Sequence, residues 1–278
     1  MEMNDHTSAD PQAPGAGFAA AAQPVAAQSV IHTDSEGLAA GMATLTVDGQ
    51  DVPVYHARPS GQDKLPVMIV LSEIFGLHEH IADVVRRFAK QGYLALAPDL
   101  FVRQGDPSTI PDIPTLMAQI VRKVPDAQVL GDLDACVAWA ARNGGDIDRL
   151  GINGFCWGGR MTWLYAAHNP QVKAAVAWYG KLVADPNPPG QPRHPIDVAA
   201  ALTVPVLGLY GAKDTGIPLD TVEKMTAALG KGTSDSAIVV YPDAGHAFHA
   251  DYRPGYNAKD ARDGFARALA WFREHGAA

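Results

Sequence analysis

Apolar residues along the chain recur in two rhythms. Short, almost continuous apolar runs stand at residues 66–72 (PVMIVLS), 93–98 (YLALAP), 149–155 (RLGINGF), 173–180 (KAAVAWYG), 204–211 (VPVLGLYG) and 237–242 (AIVVYP). A run without polar alternation is what a strand buried on both faces requires. Between these runs lie segments whose apolar residues return every three or four positions, as Ile81, Val84, Val85 and Phe88 do. That spacing predicts helices over 80–90, about 112–122, 126–143, 158–168, 218–229 and 257–274. Earlier, TLTV (44–47) and VPVYHA (52–57) flank Asp48-Gly49, the signal of a hairpin turn. Strands alternating with helices predict an α/β protein with a mostly parallel central sheet and helices on both faces.

Composition bounds the picture. With 278 residues, 47% of them hydrophobic, the chain can bury a full core without covalent staples. Residues 1–30, rich in Ala, Pro and Gln, read as a flexible tail or an arm on the surface, and 31–278 as a single domain. The first thirty residues lack a basic leader, and no window is long and apolar enough for a membrane span. A net charge of −8 without a Lys/Arg run argues against a nucleic-acid partner. The two cysteines, Cys136 and Cys156, imply no disulfide framework and point to the reducing cytoplasm. Cys136 shares an apolar helix stripe with Leu133 and Val137 and reads as core. A monomer, or at most a weak homo-oligomer, is the default expectation.

Candidate chemistry follows from the strand ends, because sites in such sheets form beyond the carboxyl ends of the strands. The residues falling there are Glu73, Asp99, Cys156, Tyr179, Asp214 and His246. Gly154-Phe155-Cys156-Trp157-Gly158 has the G-x-S-x-G spacing of a nucleophile elbow, with cysteine in place of serine. Its small residues suit a sharp turn, and the N-terminus of the helix that follows favours a thiolate. The backbone N–H groups of Trp157 and Ile74 are the expected oxyanion hole. Cys156, Asp214 and His246 also occur in the chain order nucleophile, acid, histidine found in α/β-hydrolases, so that fold is expected. In this arrangement His246 accepts a proton and Asp214 fixes its tautomer.

The segments EIFGLHEHIADVVRRFAKQGYLALAPDLFVRQGD, GFCWGGR, YGAKDTGIP and AGHAFHADYRPGY resemble the dienelactone hydrolase (carboxymethylenebutenolidase) family, over about residues 40–276. The resemblance implies a cofactor-independent hydrolase that opens enol-lactones in aromatic-compound degradation, with Cys156, His246 and Asp214 as triad. It also implies that Glu73 hydrogen-bonds the resting thiol and takes its proton when substrate enters. Family substrates carry a carboxylate, and Arg103 matches one of the arginines that bind it. The second family arginine falls on Ala250, with Arg253 nearby as a replacement. Tyr179 and Phe75 are assigned to the pocket wall.

Plainer roles stand beside these. Cys156 could be a buried structural thiol, Asp214 a helix cap, His246 a loop histidine and Glu73 a rim charge. His249 reads as pocket wall or surface, Arg86 and Arg87 as the solvated face of a helix, and Arg160 as a partner in structural pairs. HEHIA is not H-E-x-x-H, and His78 and His80 stand too close in sequence to share a helical face, so no metal is expected. Two other functions compete with lactone hydrolysis. One is a broad esterase or thioesterase of the same fold, and the other a non-catalytic binding module.

Overall fold

The computed structural model describes residues 18–184 and 189–278. The described residues form an eight-stranded sheet. Strands β1 (Leu38–Val47) and β2 (Gln50–Pro59) make the hairpin, and Asp48 and Gly49 turn it with φ values of 50° and 76°. Two consecutive positive φ angles match the right-handed twist of the flanking strands. The remaining strands are β3 (Leu65–Leu71), β4 (Leu94–Pro98), β5 (Gly145–Phe155), β6 (Val172–Trp178), β7 (Val206–Gly211) and β8 (Ala237–Tyr241).

Their order is β1-β2-β4-β3-β5-β6-β7-β8, with β1, β2 and β4 paired antiparallel and every other pair parallel. This is the expected mostly parallel sheet. Every residue of β3 and β7 is buried, as their unbroken apolar runs require.

The helices are α1 (Glu79–Lys90), α2 (Ile113–Gln119), α3 (Asp126–Arg142), α4 (Trp157–His168), α5 (Pro195–Val198), α6 (Leu219–Leu229) and α7 (Ala258–Glu274). On one face α1 meets α7, where the Phe88 ring lies 5.3 Å from Phe265 and 6.1 Å from Phe272. On the other, α3 and α4 are joined by the buried Arg160–Asp126 ion pair at 2.7 Å. Cys136 is fully buried in α3, and burial pushes its thiol up, away from reactivity. No helix of the described residues is long and apolar enough to cross a membrane.

Four local differences from the sequence reading have physical causes. β5 starts four residues early because its polar beginning pairs with Leu65 and Pro66 across a bulge. The helix expected over 112–122 ends at Gln119 and tightens into a 3₁₀ turn at Val121–Lys123. The four-residue α5 is too short to carry a helical period. Arg86 and Arg87 do not form a solvated face. Arg86 is buried and binds Glu79, Tyr55 and the Thr33 carbonyl, while Arg87 binds Asp83 and Asp251.

The tail assigned to residues 1–30 divides. Residues 1–17 lie outside the described residues, whereas 18–30 lie as an arm against the loop that follows β8. Phe18 stacks on Tyr252 at 4.8 Å, Ala26 N–H donates to the Tyr252 carbonyl, and Ser29 Oγ donates to the Asp251 carbonyl. Ala19 and Ala22 are buried there.

Candidate active site

The turn from β5 into α4 is sharp. Cys156 stands between them with φ 54° and ψ −112°, a conformation that non-glycine residues adopt at a cost. The glycines around it permit close backbone approach. A Cβ on Gly158 would lie 2.5 Å from the Ser72 carbonyl oxygen, and one on Gly154 would lie 2.4 Å from that of Gly158. The turn is held by Cys156 N–H donating to the Trp178 carbonyl and Gly158 N–H to that of Ser72. The second bond ties the elbow to the loop after β3, which carries Glu73 and Ile74. Trp157 is the first residue of α4, so its N–H has no partner within the helix.

Two further strand ends converge on this turn. Asp214, after β7, is buried; its Oδ1 accepts N–H bonds from Gly216 at 2.8 Å and Ile217 at 3.1 Å. Its Oδ2 lies 2.6 Å from His246 Nδ1, and His246 Nε2 lies 3.2 Å from Cys156 Sγ. Burial alone would lower the His246 pKa, but a thiolate at Cys156 and the bond to Asp214 outweigh it and raise it to about 10 in the state where the sulfur is charged. The thiol is half-buried and His246 is exposed, so a small molecule can reach both. Tyr179, at φ 37°, packs edge-on to His246 with ring centroids 5.2 Å apart.

Glu73, on the loop after β3, is buried at 2% exposed. It does not hydrogen-bond the thiol, contrary to what the family resemblance implied. Its Oε2 lies 3.4 Å from His78 Nε2 and its Oε1 lies 4.0 Å from His80 Nε2, because two imidazoles attract a carboxylate more strongly than a thiol does. Burial alone would raise its pKa, but the His78 bond and the charges of His80 and His78 bring it below the ordinary value.

The expected substrate cations are engaged elsewhere. Both terminal nitrogens of Arg103 bind the Asp132 carboxylate of α3, at 2.7 and 2.8 Å. Arg253 donates to the Ala22 carbonyl of the arm and lies over the Phe75 ring at 5.3 Å. Phe75 is itself buried against His78 and Tyr252. Asp99 accepts the Phe101 N–H and is not brought into contact with these groups among the described residues. Ala250 is fully buried.

His78, His80 and Asp251 were not expected at the site; all three are buried, the two histidines facing Glu73 and Asp251 bonded to His80. A signal for His80 was present. It precedes Val84 and Phe88 at successive intervals of four, so it belongs to the apolar stripe of α1. Nothing comparable marked Asp251. Among the described residues no cluster of His, Cys, Asp and Glu is arranged to hold a metal ion.

A parallel sheet with a cysteine elbow, and with an acid and a histidine delivered from later strand ends, defines an α/β-hydrolase. The dienelactone hydrolase family model matches residues 52–276. A Salmonella typhimurium protein provisionally named carboxymethylenebutenolidase is 58% identical over 261 residues, 94% of this chain and 96% of that one. A Bradyrhizobium protein provisionally named 2-oxo-3-(5-oxofuran-2-ylidene)propanoate lactonase is 32% identical, covering 87% of this chain and 96% of its own. The crystal structure of a Klebsiella pneumoniae protein provisionally described as a dienelactone hydrolase aligns with a TM-score of 0.83 at 58% identity. It covers 85% of this chain and 99% of that one. The chain belongs to the dienelactone hydrolase family and is a hydrolase of ester or lactone bonds.

Proposed function

We propose that the protein opens small enol-lactones of the dienelactone type, with Cys156 as nucleophile, His246 as acid–base and Asp214 as the group that orients His246. The observation that carries this reading is the unbroken line from Cys156 Sγ to His246 Nε2 at 3.2 Å and from His246 Nδ1 to Asp214 Oδ2 at 2.6 Å. Substrate entry turns Glu73 from its histidines toward the thiol, whose proton it takes. The sulfur then attacks the lactone carbonyl, and the N–H groups of Ile74 and Trp157 stabilise the oxyanion. Collapse breaks the ring C–O bond, and the enolate leaving group takes the proton that Glu73 holds. Water activated by His246 then cleaves the thioester, which returns the thiol and releases the acid.

The test follows the near-ultraviolet absorbance of a carboxylate-bearing dienelactone with wild type and Cys156→Ala side by side. Rapid loss with wild type alone is expected; equal rates for the two proteins would remove Cys156 from the reaction.

A second reading, a broad esterase or thioesterase using the same residues, is favoured by one observation. Arg103 is closed onto Asp132, Arg253 onto the arm, and Ala250 occupies the family's second arginine position. Turnover of neutral aryl esters and thioesters, with the carboxylate-bearing lactone untouched, would select it.

A further inference from the structure

A second histidine–carboxylate pair lies behind Glu73. His80, in the first turn of α1, directs Nδ1 to Asp251 Oδ1 at 3.1 Å, and the other oxygen of Asp251 accepts from Arg87 Nη2 at 2.5 Å. His80 Nε2 faces Glu73 Oε1 at 4.0 Å, and neither atom has a hydrogen-bond partner among the described residues. Glu73, His80 and Asp251 are each at most 2% exposed. A pair serving stability alone would be expected to close that distance, since buried polar atoms are normally bonded. Held open among buried side chains, it couples the two groups by charge and leaves the carboxylate room to turn.

We propose that His80, carried on Asp251, is a positioning residue for Glu73, drawing its carboxylate back from the thiol and setting the orientation from which it moves when substrate enters. The inference rests on Glu73 being the proton acceptor assigned above. Asp251 stands on the same loop as His246, so this loop serves the thiol through one histidine and Glu73 through another.

The surrounding groups agree in sign. His80 is faced by Asp251, His249 and Tyr252 from the loop after β8, by Glu73 and His78 from the loop after β3, and by Arg87 from its own helix. Burial alone would strip its proton, but the Asp251 bond and the charges of Asp251 and Glu73 outweigh that and raise its pKa. Burial, with Arg87 and His80 nearby, pushes His249 well below its ordinary value, so it stays neutral and does not compete. Glu73 is faced in turn by His78, His80, Tyr179 and Tyr252.

The experiment is the pH dependence of kcat/KM, with p-nitrophenyl acetate and dienelactone, for wild type, His80→Asn and Asp251→Asn. Loss of the imidazolium raises the pKa of Glu73, so the acid limb is expected to move up by about one to three pH units. Above the new limb the rate recovers toward wild type. In a Glu73→Gln background, His80→Asn is expected to shift nothing further. A limb that stays in place, or a loss of equal factor at every pH, overturns the proposal. Asp251→Asn preserves side-chain volume and supplies the same reading if His80→Asn does not fold. Glu73→Gln alone separates the two layers. Near-normal turnover by that variant would remove Glu73 from the mechanism, whereas lost turnover beside an unmoved limb in His80→Asn removes only the role of His80.

Discussion

Replacing Asp214 with Asn changes one atom and is expected to stop most of the chemistry. Asp214 Oδ1 is fixed by two backbone N–H donors, from Gly216 and Ile217, and Oδ2 is the oxygen that meets His246 Nδ1. An asparagine must therefore keep its carbonyl oxygen on the two N–H groups and turn its amide nitrogen toward His246. The flipped orientation would strand two donors, at about 1–3 kcal/mol each. An N–H facing Nδ1 forces the imidazole proton onto Nε2, where it points at Cys156 Sγ and leaves no lone pair to take a proton from the water that cleaves the thioester. It also repels the imidazolium that the native carboxylate holds. The same change in a serine triad costs about 10⁴-fold in kcat, or about 5.5 kcal/mol of transition-state stabilisation. For Asp214→Asn we expect kcat/KM on dienelactone or an aryl ester to fall by about 10³- to 10⁴-fold. The melting temperature should stay within a few degrees, because both backbone bonds survive. Activity within tenfold of wild type would refute the tautomer argument, and a rate loss that merely tracks unfolding would refute the geometric one.

Three further outcomes are expected. Glu73→Gln should lower lactone turnover by more than about a hundredfold with folding intact, as removal of a positioned general base does; circular dichroism beside steady-state rates checks both halves. Arg103→Gln should destabilise the fold by about 3–5 kcal/mol in urea melts, because Asp132 is left buried and unpaired. A rise in KM for the carboxylate-bearing lactone at unchanged stability would instead restore Arg103 as a substrate ligand. His246 gives a signed pH effect. Its folded-state pKa of about 10 lies above the unfolded value of about 6.5. Its contribution is therefore complete below about pH 6.5 and lost as pH rises toward 10. The melting-temperature gap between wild type and His246→Asn should narrow over that range, and a constant gap would contradict the assignment.

Much of the fold was legible because the buried strands are written as unbroken apolar runs, and strands of this kind need no context to be recognised. The elbow was legible for a similar reason, since only glycines fit where Gly154 and Gly158 meet backbone. Partnerships across long stretches of chain were not. Arg86 and Arg87 look solvent-facing on a helical wheel, yet their partners come from Thr33 on the N-terminal side and from Asp251 near the far end of the chain. The same holds for Glu73, whose resemblance-based contact with the thiol is replaced by His78 and His80. The histidines were visible as HEH, but the question put to them was metal binding. Their buried carboxylate partners give the structural answer. Arg103 reads as a free cation until Asp132, 29 residues on, is brought beneath it.

The loop after β8 is clasped at one end by the arm, through Ala26, Ser29 and the Ala22 carbonyl, and carries His246 and Asp251 close together. Its length is therefore a fixed part of the machine. One inserted or deleted residue between His246 and Asp251 would shift the registration of both histidine–carboxylate pairs at once. Variation has freer ground in residues 104–110, where much of the surface is open and Asp214, His246 and Asp251 contribute nothing. A library belongs there, with the clasped loop held constant.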